Sequence, residues 1–234
     1  MQTAPDPARW GPLALSLLPF APAVDGVVLA QDPLAAIAAG HGAEVRLLTG
    51  SNRDEARLFF VAPATIDLID DATLEAAASA YGLSADSLAR YRAGRPGASA
   101  GDILAAVITD WFFTIPAIRV AEARAAAASA PTWVYRFDHP APEDNHRFGA
   151  SHGAEVPFVF DTIGQHDLHP LIGDTPSQAV ADQTHRAWVD FITHGDPGWP
   201  AYTIASRTTG LFSDHIEAAS DPAASERACW DRIR

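Results

Sequence analysis

The chain has 234 residues, enough for one domain with a sizeable core. Apolar residues make up 48% and charged residues 19%, a globular composition that excludes a disordered chain. A formal net charge of −13, with all 16 basic residues arginine, excludes the electrostatic footprint of a nucleic-acid or anionic-lipid binder. No uninterrupted apolar run is long enough for a membrane span.

Met1–Trp10 lacks the basic patch and apolar segment of a secretory leader, so a cytoplasmic protein is expected. Phe20–Leu29 reads as a loop with a turn at Asp25-Gly26. Asp32 is an N-cap, Pro33 suits the first helical position, and the helix Leu34–Ala39 ends at Gly40. Glu44–Thr49 is a short apolar run that predicts a buried strand, broken by Gly50-Ser51-Asn52. Leu58–Val61 starts a helix or runs on as an apolar loop. Residues 71–92 predict two helices about Gly82, with Asp71 as cap and Leu74, Ala78, Tyr81, Leu88 and Tyr91 facing inward. A Gly/Pro/Ser loop at 94–101 leads into a helical region, Asp102–Ala128, with a break expected at Pro116.

Thr132–Asp138 is the second clear strand, rich in β-branched and aromatic residues. His139–Gly149 is a polar surface loop. Thr175–His194 predicts a helix with Trp188, Phe191 and Ile192 on one face, followed by a strand at 210–213 and a short helix at 222–233. Two clear strands among so many helices make too narrow a sheet for an α/β protein.

Chemistry concentrates in two places. Gly50–Glu55 puts acids just past the carboxyl end of the first strand, and Gly149–Phe158 puts His152 in a glycine-bracketed loop after the second. Catalytic groups gather at such strand ends in open α/β sheets, and acid followed by histidine is the later part of the Ser–acid–His order of α/β hydrolases. From the residues alone, Glu55 and Asp54 are equal candidates, each also readable as a carboxylate at a helix N-terminus. His152 alone reads more readily as a loop histidine without a task than as a catalytic one. The single cysteine, Cys229, excludes a disulfide framework or thiolate zinc cluster and reads as packing. His139, His146, His166 and His169, with Asp167, are loop residues. His166 and His169 could offer two ligands, but no third is fixed by helix or strand, so no metal is expected.

Gly50-Ser-Asn-Arg-Asp-Glu55 resembles the acid loop of the type-B carboxylesterases, the family of bacterial para-nitrobenzyl esterases and the cholinesterases. His152-Gly-Ala-Glu-Val-Pro-Phe158 resembles the segment that holds their triad histidine. Collinear matches are Pro22-Ala-Val-Asp-Gly26, Thr109-Asp-Trp-Phe-Phe-Thr-Ile-Pro116, Trp188-Val-Asp-Phe191 running into Gly195-Asp-Pro, and Trp199-Pro-Ala-Tyr202. Together they cover nearly all of residues 19–232. Ala56 departs from the glycine usual after the acid, a change expected to leave the carboxylate in place.

The resemblance implies the C-terminal portion of an α/β-hydrolase fold, class α/β, across residues 1–234. It implies Glu55 as triad acid, His152 as triad histidine, a carboxylic ester as substrate and no cofactor. A full member is about twice as long, and its first half carries the oxyanion-hole glycines and the nucleophile elbow G-x-S-x-G. Gly97-Ala-Ser99-Ala-Gly101 and Gly149-Ala-Ser151-His-Gly153 match that pattern as text. The first follows no strand and reads as a helix cap at Ser99; the second lies in the histidine loop. The expectation is therefore an acid and a base without a nucleophile, inactive alone. The rival expectation is a non-catalytic module that pairs with a separately encoded N-terminal half.

Overall fold

The computed structural model describes residues 22–233. Met1–Trp10 and Phe20, read above from sequence, lie outside them. Asp25 accepts the backbone N–H groups of Val27, Val28 and Leu29, each at 2.9 Å, which makes the expected turn. Helix α1, Pro33–Ala38, is capped by Asp32, whose carboxylate accepts from Ala35 N at 3.0 Å.

Strand β1 spans Leu47–Asn52, starting later and running further than the sequence predicts. Its parallel pairing with β2, Thr132–Phe137, continues through Gly50↔Tyr135 to Asn52↔Phe137. Gly50 permits this rather than breaking it, because a Cβ there would run into the Tyr135 carbonyl and ring. Helix α2, Arg57–Val61, follows. Helices α3, Asp71–Ala80, and α4, Ala85–Ala93, flank Gly82 as expected, although the cap of α3 is Asp70 rather than Asp71.

Helix α5, Ala100–Thr109, runs without a break through a π turn, Asp110–Thr114, into α6, Ile115–Ala127. The break expected at Pro116 does not occur. Just before the proline, Ile115 N–H bonds back five residues to the Asp110 carbonyl, and this widened turn accommodates Pro116 within the continuous helix. The resulting 28-residue stretch is long and apolar enough, by length and composition, to cross a membrane. Here its apolar face is core, with Ile103, Val107 and Ile115 fully buried.

Short helices α7, Val156–Val159, and α8, His169–Ile172, lead to α9, Gln178–His194. Val180, Ala181, Thr184 and Ala187 form the buried stripe of α9, while Ile192 is 77% exposed and does not share the face expected of it. Strand β3, Thr208–Phe212, runs parallel to β2, and β4, Ile216–Ser220, returns antiparallel to it. Helix α10 is Ala224–Arg227.

The sheet thus has four strands in the order β1-β2-β3-β4, twice the number that is clear in the sequence. Its strand alternation divides the core. Trp133, Tyr135 and Phe137 meet α9 with Phe158 and Phe212, whereas Val134 turns the other way to Ala121 of α6 and Tyr202. A larger helical cluster joins Leu74, Tyr91, Ile103, Val107, Ile115 and Trp230, and includes Ala56 beside the acid loop. The outer edge of β1 pairs with no strand among the described residues.

Candidate active site

The turn after β1 and the turn after β2 are tied together at the carboxyl ends of their strands. Asp54 N–H donates to the Ala150 carbonyl at 2.9 Å, and Ala150 N–H donates back to Asp54 Oδ2 at 3.1 Å. His152 N–H donates to the Glu55 carbonyl at 3.2 Å. Gly149 adopts φ +61°, and a Cβ there would strike the Asp54 carboxylate, so the two turns close only around a glycine.

Within this junction His152 Nδ1–H donates to Glu55 Oε2 at 2.6 Å. The other carboxylate oxygen of Glu55 accepts from Asn52 N–H at 2.7 Å. Glu55 is 4% exposed. The next residue, Ala56, is fully buried and its N–H donates to Thr109 Oγ1 at 3.0 Å, anchoring the acid to α5. Ala56 has φ −72°, which any residue adopts, so the expected glycine is not needed. Asp54 is spent on the loop junction, and Glu55 is the acid that reaches the imidazole.

The His152 side chain is 48% exposed. The rings of Phe113 and Phe59 lie against it at centroid distances of 5.1 and 5.6 Å. The hydrogen bond to Glu55 holds the imidazole above its ordinary pKa, against partial desolvation, and the charge of Glu155 acts in the same direction. An imidazole oriented by a buried carboxylate through one nitrogen, with its ring open to solvent, can take a proton and return it.

Glu155 is the neighbour that sequence reading passed over. Burial raises its carboxyl above the usual range, opposed by a hydrogen bond from Asn52. Asn52, Phe59 and Phe113 were not singled out either. The signal for Asn52 was its place as the last residue of a strand, hidden by reading Gly50-Ser51-Asn52 as a break.

The two serines of the G-x-S-x-G matches stand apart from this chemistry. Ser99 caps α5 in a reciprocal box with Asp102: its Oγ accepts from Asp102 N at 3.1 Å, and Asp102 Oδ2 accepts from Ser99 N at 3.0 Å. Ser151 is fully buried behind His152. Neither sits on a strand-to-helix elbow. Among the described residues no three His, Cys, Asp or Glu side chains converge as a metal-ion site.

The model of the carboxylesterase family matches residues 14–209. The para-nitrobenzyl esterase of Bacillus subtilis (strain 168) is 34% identical over 218 residues, covering 89% of this chain and 42% of that protein. The fumonisin B1 esterase of Sphingopyxis macrogoltabida is 30% identical, covering 79% of this chain and 35% of that protein. A Geobacillus stearothermophilus carboxylesterase structure superposes with a TM-score of 0.77 at 31% identity, over 93% of this chain and 47% of its own. The chain therefore spans less than half the length of these relatives, and its sheet and helices are those of the α/β-hydrolase fold. With its family model matched over most of the sequence, the chain belongs to the carboxylesterase family.

Proposed function

We propose that this chain supplies the acid and base of a serine carboxylesterase, with His152 as general base and acid and Glu55 as the carboxylate that orients it. The observation that carries the reading is the 2.6 Å contact from His152 Nδ1 to a carboxylate that is itself buried and held by a backbone N–H. In the reaction, a serine hydroxyl attacks the ester carbonyl while His152 takes its proton. His152 then returns that proton to the departing alcohol, and water clears the acyl-enzyme by the same route. Glu55 keeps the proton on Nδ1 and stabilises the imidazolium.

The nucleophile is assigned to a segment outside these 234 residues. Supporting this are the positions of Ser99 and Ser151 and the relatives' greater length. The outer edge of β1, unpaired among the described residues, suits a further strand from that segment. Alone, the chain is expected to hydrolyse no ester.

The test is an assay on a short activated ester. It compares the chain alone with a chimera that carries the N-terminal portion of the Bacillus subtilis relative ahead of it. The reading expects turnover only in the chimera, abolished by His152→Ala. Turnover by the chain alone that is lost in Ser99→Ala or Ser151→Ala sinks it.

A further inference from the structure

Asn52 ends β1 with no exposed surface. All of its N–H groups are committed around His152. The backbone N–H donates to Glu55 Oε1 at 2.7 Å. The side-chain amide donates to the Ser151 carbonyl at 2.7 Å and to the Glu155 carboxylate. Ser151 and Glu155 bracket His152 along the chain, so a single side chain grips both sides of the histidine turn while its own backbone orients the acid. Neither aspartate nor leucine could do this. Aspartate would face a carbonyl and a carboxylate with no donor, and leucine would leave both buried and unpaired.

We propose that Asn52 is a positioning residue for His152, clamping the acid loop onto the histidine turn and holding the Glu155 carboxylate within it. The inference rests on the reading of His152 as the base, and deepens it by naming what fixes the imidazole besides Glu55. The titratable groups around the clamp are Glu55 from the turn after β1, Glu155 and His152 from the turn after β2, and Tyr135 from β2 itself. Glu155 and Glu55 both favour the imidazolium. Loosening the clamp therefore lowers the pH at which His152 titrates.

The experiment is an NMR titration of the imidazole nitrogens of His152 in the 234-residue chain, assigned with His152→Ala. It needs no ester turnover, so failure of the esterase reading and failure of the clamp are separate results. Asn52→Leu is expected to lower the His152 titration by about one pH unit and to abolish the low-field Nδ1–H signal. Glu155→Gln is expected to move the titration the same way by less, and the double variant to match Asn52→Leu alone. A folded Asn52→Leu with an unchanged His152 titration and Nδ1–H signal overturns the proposal, as does a double variant whose shift is the sum of the single ones. If Asn52→Leu does not fold, Asn52→Ala decides, because it removes the same amide donors to Ser151 and Glu155 with less bulk: a lowered titration with loss of the Nδ1–H signal supports the clamp, and an unmoved titration and signal overturn it.

Discussion

Asp110 and Glu55 are both nearly sealed carboxylates, 8% and 4% exposed, yet their partners differ. Asp110, in the π turn between α5 and α6, accepts from the Tyr91 hydroxyl, which in turn accepts from Trp230 Nε1 at 2.8 Å. Tyr91 and Trp230 are themselves fully buried. Neither partner of Asp110 in that network is open to solvent. Glu55 is held just as firmly, but by an imidazole whose ring is half exposed. Burial fixes an acid in place; exposure of the group it orients makes the pair available for chemistry. The pKa directions agree. Desolvation pushes Asp110 up to about 6, whereas the hydrogen bond to Glu55 raises His152.

The largest expected effect falls on the open pair. In an active chimera, His152→Ala should lower kcat by about a thousandfold or more, and Glu55→Gln by roughly a hundred- to ten-thousandfold. Because a base must be neutral, kcat/KM of the unsubstituted chimera should rise as pH passes the raised pKa of His152. Glu55→Gln should move that rise to lower pH. A chimera indifferent to Glu55→Gln would erase the distinction between the two carboxylates.

The closed pair should answer in stability instead. Tyr91→Phe removes a buried donor to Asp110 and should cost about 1–3 kcal/mol in urea unfolding, leaving the His152 titration in place. A Tyr91→Phe variant that shifts His152 would show that the networks are coupled.

Asp110 also predicts a pH dependence. Its folded pKa of about 6 lies above its ordinary 3.8, so between these values the folded state binds more protons than the unfolded. Its stabilising contribution is therefore full below the ordinary value and is lost as pH rises through 6. Asp110→Asn should flatten this part of the stability profile between about pH 4 and 6, read by urea midpoints at each pH. The smallest effect belongs to Ser99→Ala, which removes a helix cap. It should cost about 0.5–2 kcal/mol and leave ester turnover in the chimera unchanged.

Helix positions were legible because apolar periodicity and caps are local. The pair of helices about Gly82, the capped start at Asp32 and the long α9 all follow from spacing. The strands were less so. Pairing with β2 carries β1 through Gly50 to Asn52, a tertiary effect that overrides a local turn signal. Strand β4 is largely exposed and alanine-containing, and acquires its structure from the hairpin with β3. Pro116 misled because a π turn just upstream accommodates the proline within the helix. Glu55 and His152 could be named from a family resemblance carried by their flanking residues. Asn52 and Glu155 could not, because their roles exist only once two loops far apart in sequence are brought together.

The central claim is that this chain provides the base but not the nucleophile. It is tested most directly by reacting a fluorophosphonate ester with the chain alone and with the chimera, and locating the adduct by mass spectrometry. The account predicts no adduct on the chain alone. In the chimera it predicts an adduct on a serine outside these 234 residues, formed far more slowly in His152→Ala. An adduct on Ser99 or Ser151 of the chain alone would contradict it.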